Sequence, residues 1–312
     1  MAAPVELPTP AKATRKRATV RPATSVLYDA PGPRTKRILW VSSAAAAALL
    51  LVLGWYLVIR PLDEQGQFSE QLWGPIIDPD NASFTPLWQL IGRGTVATLK
   101  AAAIAVVTSL ICGLALAMLR IQLKHLTTQR FSHLPQPVAT GARGLTWLLN
   151  GVTRVCVELL RGMPVLVTIF FVARGLRQAG LHWPEMWFLV IGLTLYNMVV
   201  IAEIVRSGIE GLPRGQREAA ASIGLSPAQT TRLVLLPQAV RVMLPAVISQ
   251  LVVVLKDTSL GVLIGYHDLL WWTKTAVLNL NNPIQMYIVV GLIFLVVNYA
   301  LSRLATWTQR HL

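Results

Sequence analysis

Residues 94–119 read GTVATLKAAAIAVVTSLICGLALAML, and only Lys100 near the start interrupts their apolar run. About 20 apolar residues are enough to cross a hydrocarbon core as a helix. A helix is favoured there because it satisfies every backbone N–H and C=O without water. Further apolar runs occur at residues 38–59, 145–172, 186–205, 242–264 and 284–301. The run at 145–172 carries Arg154, Glu158 and Arg161 in its first half. That half is expected at or near the membrane interface, with the part after Pro164 crossing the hydrocarbon. The run at 38–59 is too long and too far into the chain for a signal peptide, so it is expected to be retained as a span.

The whole chain fits a lipid environment. Of its 312 residues 54% are hydrophobic and 13% charged, and the mean hydropathy is +0.55. Soluble domains carry roughly 25% charged residues. The net charge of +14 raises the question of nucleic acid, but that needs a basic face on a water-soluble fold, and little of this chain is free to form one. Cys112 and Cys156 lie in or beside apolar runs, with no CxxC or Cys/His metal spacing. They read as small, buried apolar residues.

The basic residues set an orientation. Residues 1–37, rich in Pro, Ala and Thr, read as a disordered basic tail with eight Lys/Arg. With Arg120, Lys124, Arg130 and Arg143, then Arg206, Arg214, Arg217, Arg232 and Arg241, then Arg303 and Arg310, one side collects nineteen. The other side has Arg60, Arg93, Arg174, Arg177 and Lys274. Positive charge marks the cytoplasmic side, so both termini are expected in the cytoplasm and the charge doubles as attraction to anionic lipid. Residues 60–93 form an acidic loop, with Asp63, Glu64, Glu70, Asp78 and Asp80, expected outside. Its Trp73 and Trp88 fit interface anchors; the loop is either solvated or touches an extracytoplasmic partner.

Between the fourth and fifth runs lies QREAAASIGLSP, residues 216–227, continuing to the Val-Leu-Leu-Pro of 234–237. Residues 218–223 are expected to be a short helix with Glu218 in its first turn, where the dipole favours an acid. Gly224 is a natural stop. Ser226 then caps a second helix that starts at Pro227 and is expected to end at Pro237. The result is a rigid helical hairpin suited to being gripped by another protein.

This hairpin resembles the coupling loop of ABC importer permeases. Glu218, Ala219, Ala220, Gly224, Val234, Leu236 and Pro237 occupy the pattern at full spacing, Val234 standing where Ile is usual. The resemblance implies that the loop, spanning residues 206–241, sits in a groove of a cytoplasmic ATP-binding subunit and transmits its closure. Neighbouring stretches look like the polar amino-acid subfamily for histidine, glutamine, glutamate and arginine. These are the Glu-Leu-Leu-Arg-Gly-Met-Pro of 158–164 (Met163 replacing the usual Thr), residues 202–206, 215–218 and 256–260, and Gly94-Thr95. The resemblance covers about residues 90–305. The Val-Leu-Tyr-Asp-Ala-Pro-Gly-Pro-Arg of 26–34, the first span and the acidic loop look like actinobacterial glutamate-uptake permeases.

The expected fold is thus an all-α polytopic membrane protein of about six transmembrane helices. One extra N-terminal span (38–59) precedes a five-helix permease core within residues 94–305, and a cytoplasmic C-terminus follows at 306–312. The resemblance further implies an inner-membrane location, an extracytoplasmic substrate-binding protein and a second permease subunit, in a homodimer or heterodimer. It also implies a polar amino acid as substrate, best read as glutamate. No GxxxxGK[ST] phosphate loop occurs, so ATP hydrolysis belongs to a partner and this chain is no enzyme and binds no cofactor.

Ionisable groups in spans cost several kcal/mol unless paired or wet. Glu203 and Arg206, three apart, are expected to form an ion pair, and Glu158 with Arg161 repeats the spacing; either pair is a clamp or a gate. Lys256 and Asp257 lie about fifteen residues into their run and point roughly 100° apart. Lys256 is the better partner for an anionic substrate group, with Thr258 and Ser259 as hydroxyl donors, or else it snorkels to the interface; Lys100 is expected to snorkel. Two rival classes stay in view. A secondary transporter would show interrupted spans in two matching halves, and a membrane scaffold would not need the coupling loop.

Overall fold

The computed structural model describes residues 32–128 and 135–311, and every regular element among them is helical. Most of the expected tail, with Arg130, lies outside the described residues. The chain divides into two units, one ending at Gly66 and one beginning at Gln67.

The first unit contains helix α1, Pro33–Glu64, which is long and apolar enough to span a bilayer. It starts five residues before the expected boundary, with Gly32 as cap and Pro33 at its first position, so Arg34, Lys36 and Arg37 are its first turns rather than tail. Proline's fixed φ and missing N–H suit that position. A π-helical turn at Trp55–Ile59, closed by Arg60 N–H on the Trp55 carbonyl, precedes Pro61. No residue of α1 is buried.

The second unit comprises α2 (Glu70–Ile77), α3 (Phe84–Thr128), α4 (Gln136–Gly162), α5 (Val165–Gln178) and α6 (Glu185–Glu210). It continues with α7 (Arg214–Ser222), α8 (Pro227–Ile264), α9 (Leu269–Leu280) and α10 (Pro283–His311). Helices α1, α3, α6, α8 and α10 are each long and apolar enough to cross a membrane, and the α4–α5 pair makes a sixth if counted as one bent span. That matches the expected six. The pair turns through 109° at Met163-Pro164. The residue before proline is pushed out of the helical region, and Met163 is extended (φ −86°, ψ 139°).

The core is built along α3 and α6. Ala117 packs with Ile201, Ala202, Val205, Ile209, Leu235 and Ala239 towards one end. Ala101 and Ala105 meet Ile169, Leu189, Leu193 and Val254 in the middle. Leu87, Ile91, Ile76, Leu269, Met286 and Val290 close the other end. Small residues let the backbones approach, the usual source of helix contact where lipid removes the hydrophobic drive. A β-carbon on Gly113 would lie 2.7 Å from Ile201 Cγ2, and one on Gly192 would lie 2.8 Å from Ile169 Cα. Hydrogen bonds cross the same seams: Thr108 to Thr194 (2.6 Å), and Gln250 Nε2 donating to Asn197 Oδ1 (2.7 Å).

Four expectations change. Residues 60–93 are not an open loop. They end α1, form α2 and begin α3, and Gly74, Pro75 and Ile76 are buried. Two amides at the start of α10 hold α2 down, Asn282 Nδ2 donating to the Leu72 carbonyl (3.1 Å) and Gln285 Nε2 to that of Gln67 (2.5 Å). Trp73 and Trp88 donate their indole N–H groups to the Gln67 and Ile76 carbonyls, so they peg this segment instead of simply marking an interface. Cys112 and Cys156 are exposed, not buried. Pro237 does not end a helix. The π turn Thr230–Leu235 just before it re-spaces the carbonyls, with Leu236 N–H bonding five residues back to Thr231, and α8 continues. Finally, α9 is an extra short helix between α8 and α10. The left-handed Gly265 (φ 86°) and Asn281 (φ 51°) bracket it, and Asp268 Oδ1 caps it at Trp271 N–H (2.8 Å).

Gly94 fixes where α9 sits. A β-carbon there would lie 2.7 Å from Leu269 Cα, beside the bond from Leu269 N–H to Thr98 Oγ1 (3.0 Å). Neither backbone can give, so Gly94→Ala is expected to cost about 1–3 kcal/mol. Gly141→Ala, in open space on α4, is expected to cost nothing. Thermal unfolding of the detergent-solubilised protein checks both; an unchanged melting temperature for Gly94→Ala would refute the packing argument.

Candidate coupling site

α7 leaves α6 through Gly211 and Leu212 and starts after Pro213. It therefore begins four residues earlier than expected, and Glu218 stands in mid-helix, exposed, rather than in the first turn. Its far end is stopped as the sequence implied. Gly224 is left-handed (φ 80°), Leu225 N–H bonds the Ala220 carbonyl (3.1 Å) and Gly224 N–H that of Ala221 (3.0 Å). This paired arrangement satisfies the last carbonyls of a helix and needs a positive φ, which glycine adopts without strain. Two residues on, Ser226 Oγ accepts from Gln229 N–H while Gln229 Oε1 accepts from Ser226 N–H. That reciprocal box, with Pro227 at the first position, fixes the start of α8.

The hairpin is rigid within itself and lightly seated on the span bundle. Ala220 is the one buried residue of α7, and Ala219, Ile223 and Pro237 are exposed, with Leu236 half-buried. Arg217 Nη2 donates to the Ile209 carbonyl (3.3 Å) and Gln238 Nε2 to Gln216 Oε1 (3.1 Å). Between α7 and the ends of the spans, a cleft of about 400 Å³ is lined by Ile121, His125, Ile209, Arg217, Leu225 and Leu235 among others.

Above the hairpin the charged residues of α6 are joined to α3. Arg206 pairs with Glu203 (2.5 Å), as expected, and also with Glu210. Arg120 reaches Glu203 (3.4 Å) and Lys124 reaches Glu210 (3.0 Å). Arg120, Lys124 and Glu210 were not singled out from sequence. Arg120 and Lys124 lie more than eighty residues from the residues they meet, and only the α3–α6 contact brings them there. Glu210 instead stands one helical turn beyond Arg206 on the same helix, a spacing already present in the sequence. The chain of charges leaves no partner single: a half-buried pair that loses one member leaves a charge stranded. The expected Glu158–Arg161 pair does not form. Both side chains are exposed and make no ion pair among the described residues, although the charge of Arg161 is close enough to act on Glu203.

At the other end of α8, α-helix gives way to a 3-10 turn at Thr258–Ile264. Lys256 is exposed and Asp257 half-buried, its Oδ2 enclosed with no partner among the described residues. The Thr258 hydroxyl donates to the Leu255 carbonyl (2.6 Å) and that of Ser259 to the Lys256 carbonyl (2.7 Å). Both hydrogens are therefore committed to the turn, and only their oxygens stay free to accept. The structure brings Glu203 and Arg206 together near the hairpin, leaves Arg161 exposed and unbonded to them although its charge reaches Glu203, and keeps Lys256 to Ser259 as a separate group.

Comparison with known proteins agrees with this geometry. The family model for the binding-protein-dependent transport system inner membrane component matches residues 137–312. The glutamate transport system permease protein GluD of Corynebacterium glutamicum is 37% identical over 255 residues, covering 80% of this chain and 83% of that protein. The probable glutamine ABC transporter permease protein GlnP of Bacillus subtilis is 34% identical over 160 residues, covering 50% and 72%. A crystal structure of an amino acid ABC transporter with histidines superposes with a TM-score of 0.61 at 27% identity, covering 76% of this chain and all of that one. The matched region carries α4 to α10 and the whole α7–α8 hairpin, and so this chain belongs to the inner membrane components of binding-protein-dependent transport systems.

Proposed function

We propose that this chain is the permease half of an ABC importer for a polar amino acid, with glutamate as the preferred substrate. The capped α7–α8 turn carries the reading: α7 is exposed, its left-handed stop and the box at Ser226 fix it to α8, and α8 continues into the membrane as a span. Such an element moves as one body when gripped. In this reading residues 206–241 dock in a groove of a cytoplasmic ATP-binding subunit, which hydrolyses ATP. A push on Glu218, Ala219, Ala220 and Gly224 passes through Leu236 and Pro237 into α8, and through α6 into the Glu203–Arg206 ladder. An extracytoplasmic binding protein delivers the substrate, and a second permease subunit completes the path. The similarity to GluD supports glutamate.

Arg161, Glu203 and Arg206 are assigned to gating at the coupling end. Lys256 and Asp257 are assigned to the substrate path, Lys256 facing the substrate carboxylate. Thr258 and Ser259, read from sequence as hydroxyl donors to it, instead hold the turn that carries them, since both hydrogens are bonded there and Thr258 is buried.

Gly224→Val places a β-branched residue at φ 80°, a strain of order 1–3 kcal/mol. Uptake of labelled glutamate is expected to fall at least tenfold while membrane insertion persists; normal uptake would argue against the coupling role. Lys256→Met keeps length and removes charge. The loss of one charge-assisted bond, about 1.5–3 kcal/mol, predicts roughly a ten- to hundredfold drop in uptake with co-purification of the ATP-binding subunit retained. An uptake within twofold of wild type would assign Lys256 to snorkelling. For orientation, both native cysteines are replaced by serine. Ser69→Cys is then expected to react with an impermeant thiol reagent in whole cells and Ser25→Cys is not; the opposite pattern would reverse the topology.

A further inference from the structure

Helix α4 has almost no cover from its own chain: of its 27 residues only Ala139 and Val157 are buried. At 100° per residue, Arg143, Arg154, Glu158 and Arg161 share one sector. Leu145, Leu148, Val152, Val155, Cys156 and Leu159 occupy the opposite one. Both sectors are exposed, and the buried pair lies on the flank between them. A helix divided this way, with its apolar half uncovered, fits the plane of a membrane surface rather than the hydrocarbon interior.

The geometry gives the same orientation. Helix α5 runs antiparallel along the first half of α6, with Ile169 against Gly192 and Arg177 bonded to Glu185 (3.2 Å), so it follows the direction of a span. Helix α4 meets it at 109° and therefore runs across that direction. Its depth follows from α5: with Ile169 against Gly192 on antiparallel helices, Met163 at the end of α4 comes level with the half of α6 that leads to the hairpin, and the charge of Arg161 reaches Glu203 there. Glu203 is seven residues, or about 10 Å, from the end of α6 that enters the coupling hairpin.

We propose that α4 lies in the bilayer surface on the coupling side, and that its arginine face binds the headgroups of anionic phospholipids. Three arginines against one glutamate give the face its sign, and the leucine–valine face opposite enters the acyl boundary. Because the charge of Arg161 also reaches Glu203, a lipid phosphate that draws it away changes the field on the Glu203–Arg206–Glu210 ladder. Lipid charge thereby becomes an input to coupling.

The test reads lipid contact directly and does not depend on transport. With Cys112→Ser, Cys156 is the sole cysteine of the chain and reports from the apolar face. The intact complex is reconstituted in phosphatidylcholine vesicles or in equimolar phosphatidylcholine and phosphatidylglycerol, and labelled with an uncharged water-soluble maleimide. Each arginine near an anionic surface contributes about fivefold in binding, so labelling of Cys156 is expected to slow at least fivefold with phosphatidylglycerol. Arg143→Gln with Arg154→Gln is expected to abolish the difference, and Arg154→Lys to keep it. Should the double variant fail to insert, Glu158→Gln, which removes the one anion, is expected to enlarge the difference. Equal labelling in the two vesicle types overturns the proposal. So does protection that follows the ATP-binding subunit instead of the lipid, which would mean that protein covers this face.

Discussion

The close approach of α3 and α6 is the constraint on which the rest of the second unit depends. In lipid, two apolar helices gain nothing from leaving water, so their contact needs short backbone distances and paired polar groups. Gly113 under Ile201, the Thr108–Thr194 bond and the alanines at 101, 105 and 117 supply both. Once α3 is fixed on α6, Arg120 and Lys124 fall opposite Glu203 and Glu210, and the charged end of the bundle becomes a connected ladder. The hairpin grows directly out of that end of α6.

The two ends of the bundle are held differently. Near the hairpin, half-buried charges joined in series and a few exposed bonds leave α7 seated over a cleft. At the other end, the segment from Gln67 through α2 is pinned by two fully buried amides, Asn282 just before α10 and Gln285 in its first turn, and by indole bonds from Trp73 and Trp88. Buried amides placed against backbone carbonyls are costly to separate, because each would be left without water. The segment between Gln67 and Phe84 is therefore part of the body of this unit and not a loose connection.

Proline sets the larger bends and also shows how they are avoided. At Met163-Pro164 no compensation is present, and α4 turns away from α5. At Pro237 a π turn just upstream absorbs the missing N–H, so α8 stays continuous from the capping box to its 3-10 end. The same residue type thus gives a sharp bend in one place and a continuous helix in another.

Sequence alone determined the helical class, the number of spans and the chemistry of the hairpin. Those rest on local rules: length of apolar run, backbone satisfaction in lipid, and the cap preferences of Gly224, Ser226 and Pro227. The Glu203–Arg206 pair was legible for the same reason, since residues three apart on a helix must be neighbours. Tertiary structure decided what depends on distant partners. It joined Arg120 and Lys124 to the ladder, left Glu158 and Arg161 unpaired with each other, and tied the segment at 67–77 to the start of α10. Spacing fixes which side chains share a helical face, but only packing fixes what that face meets.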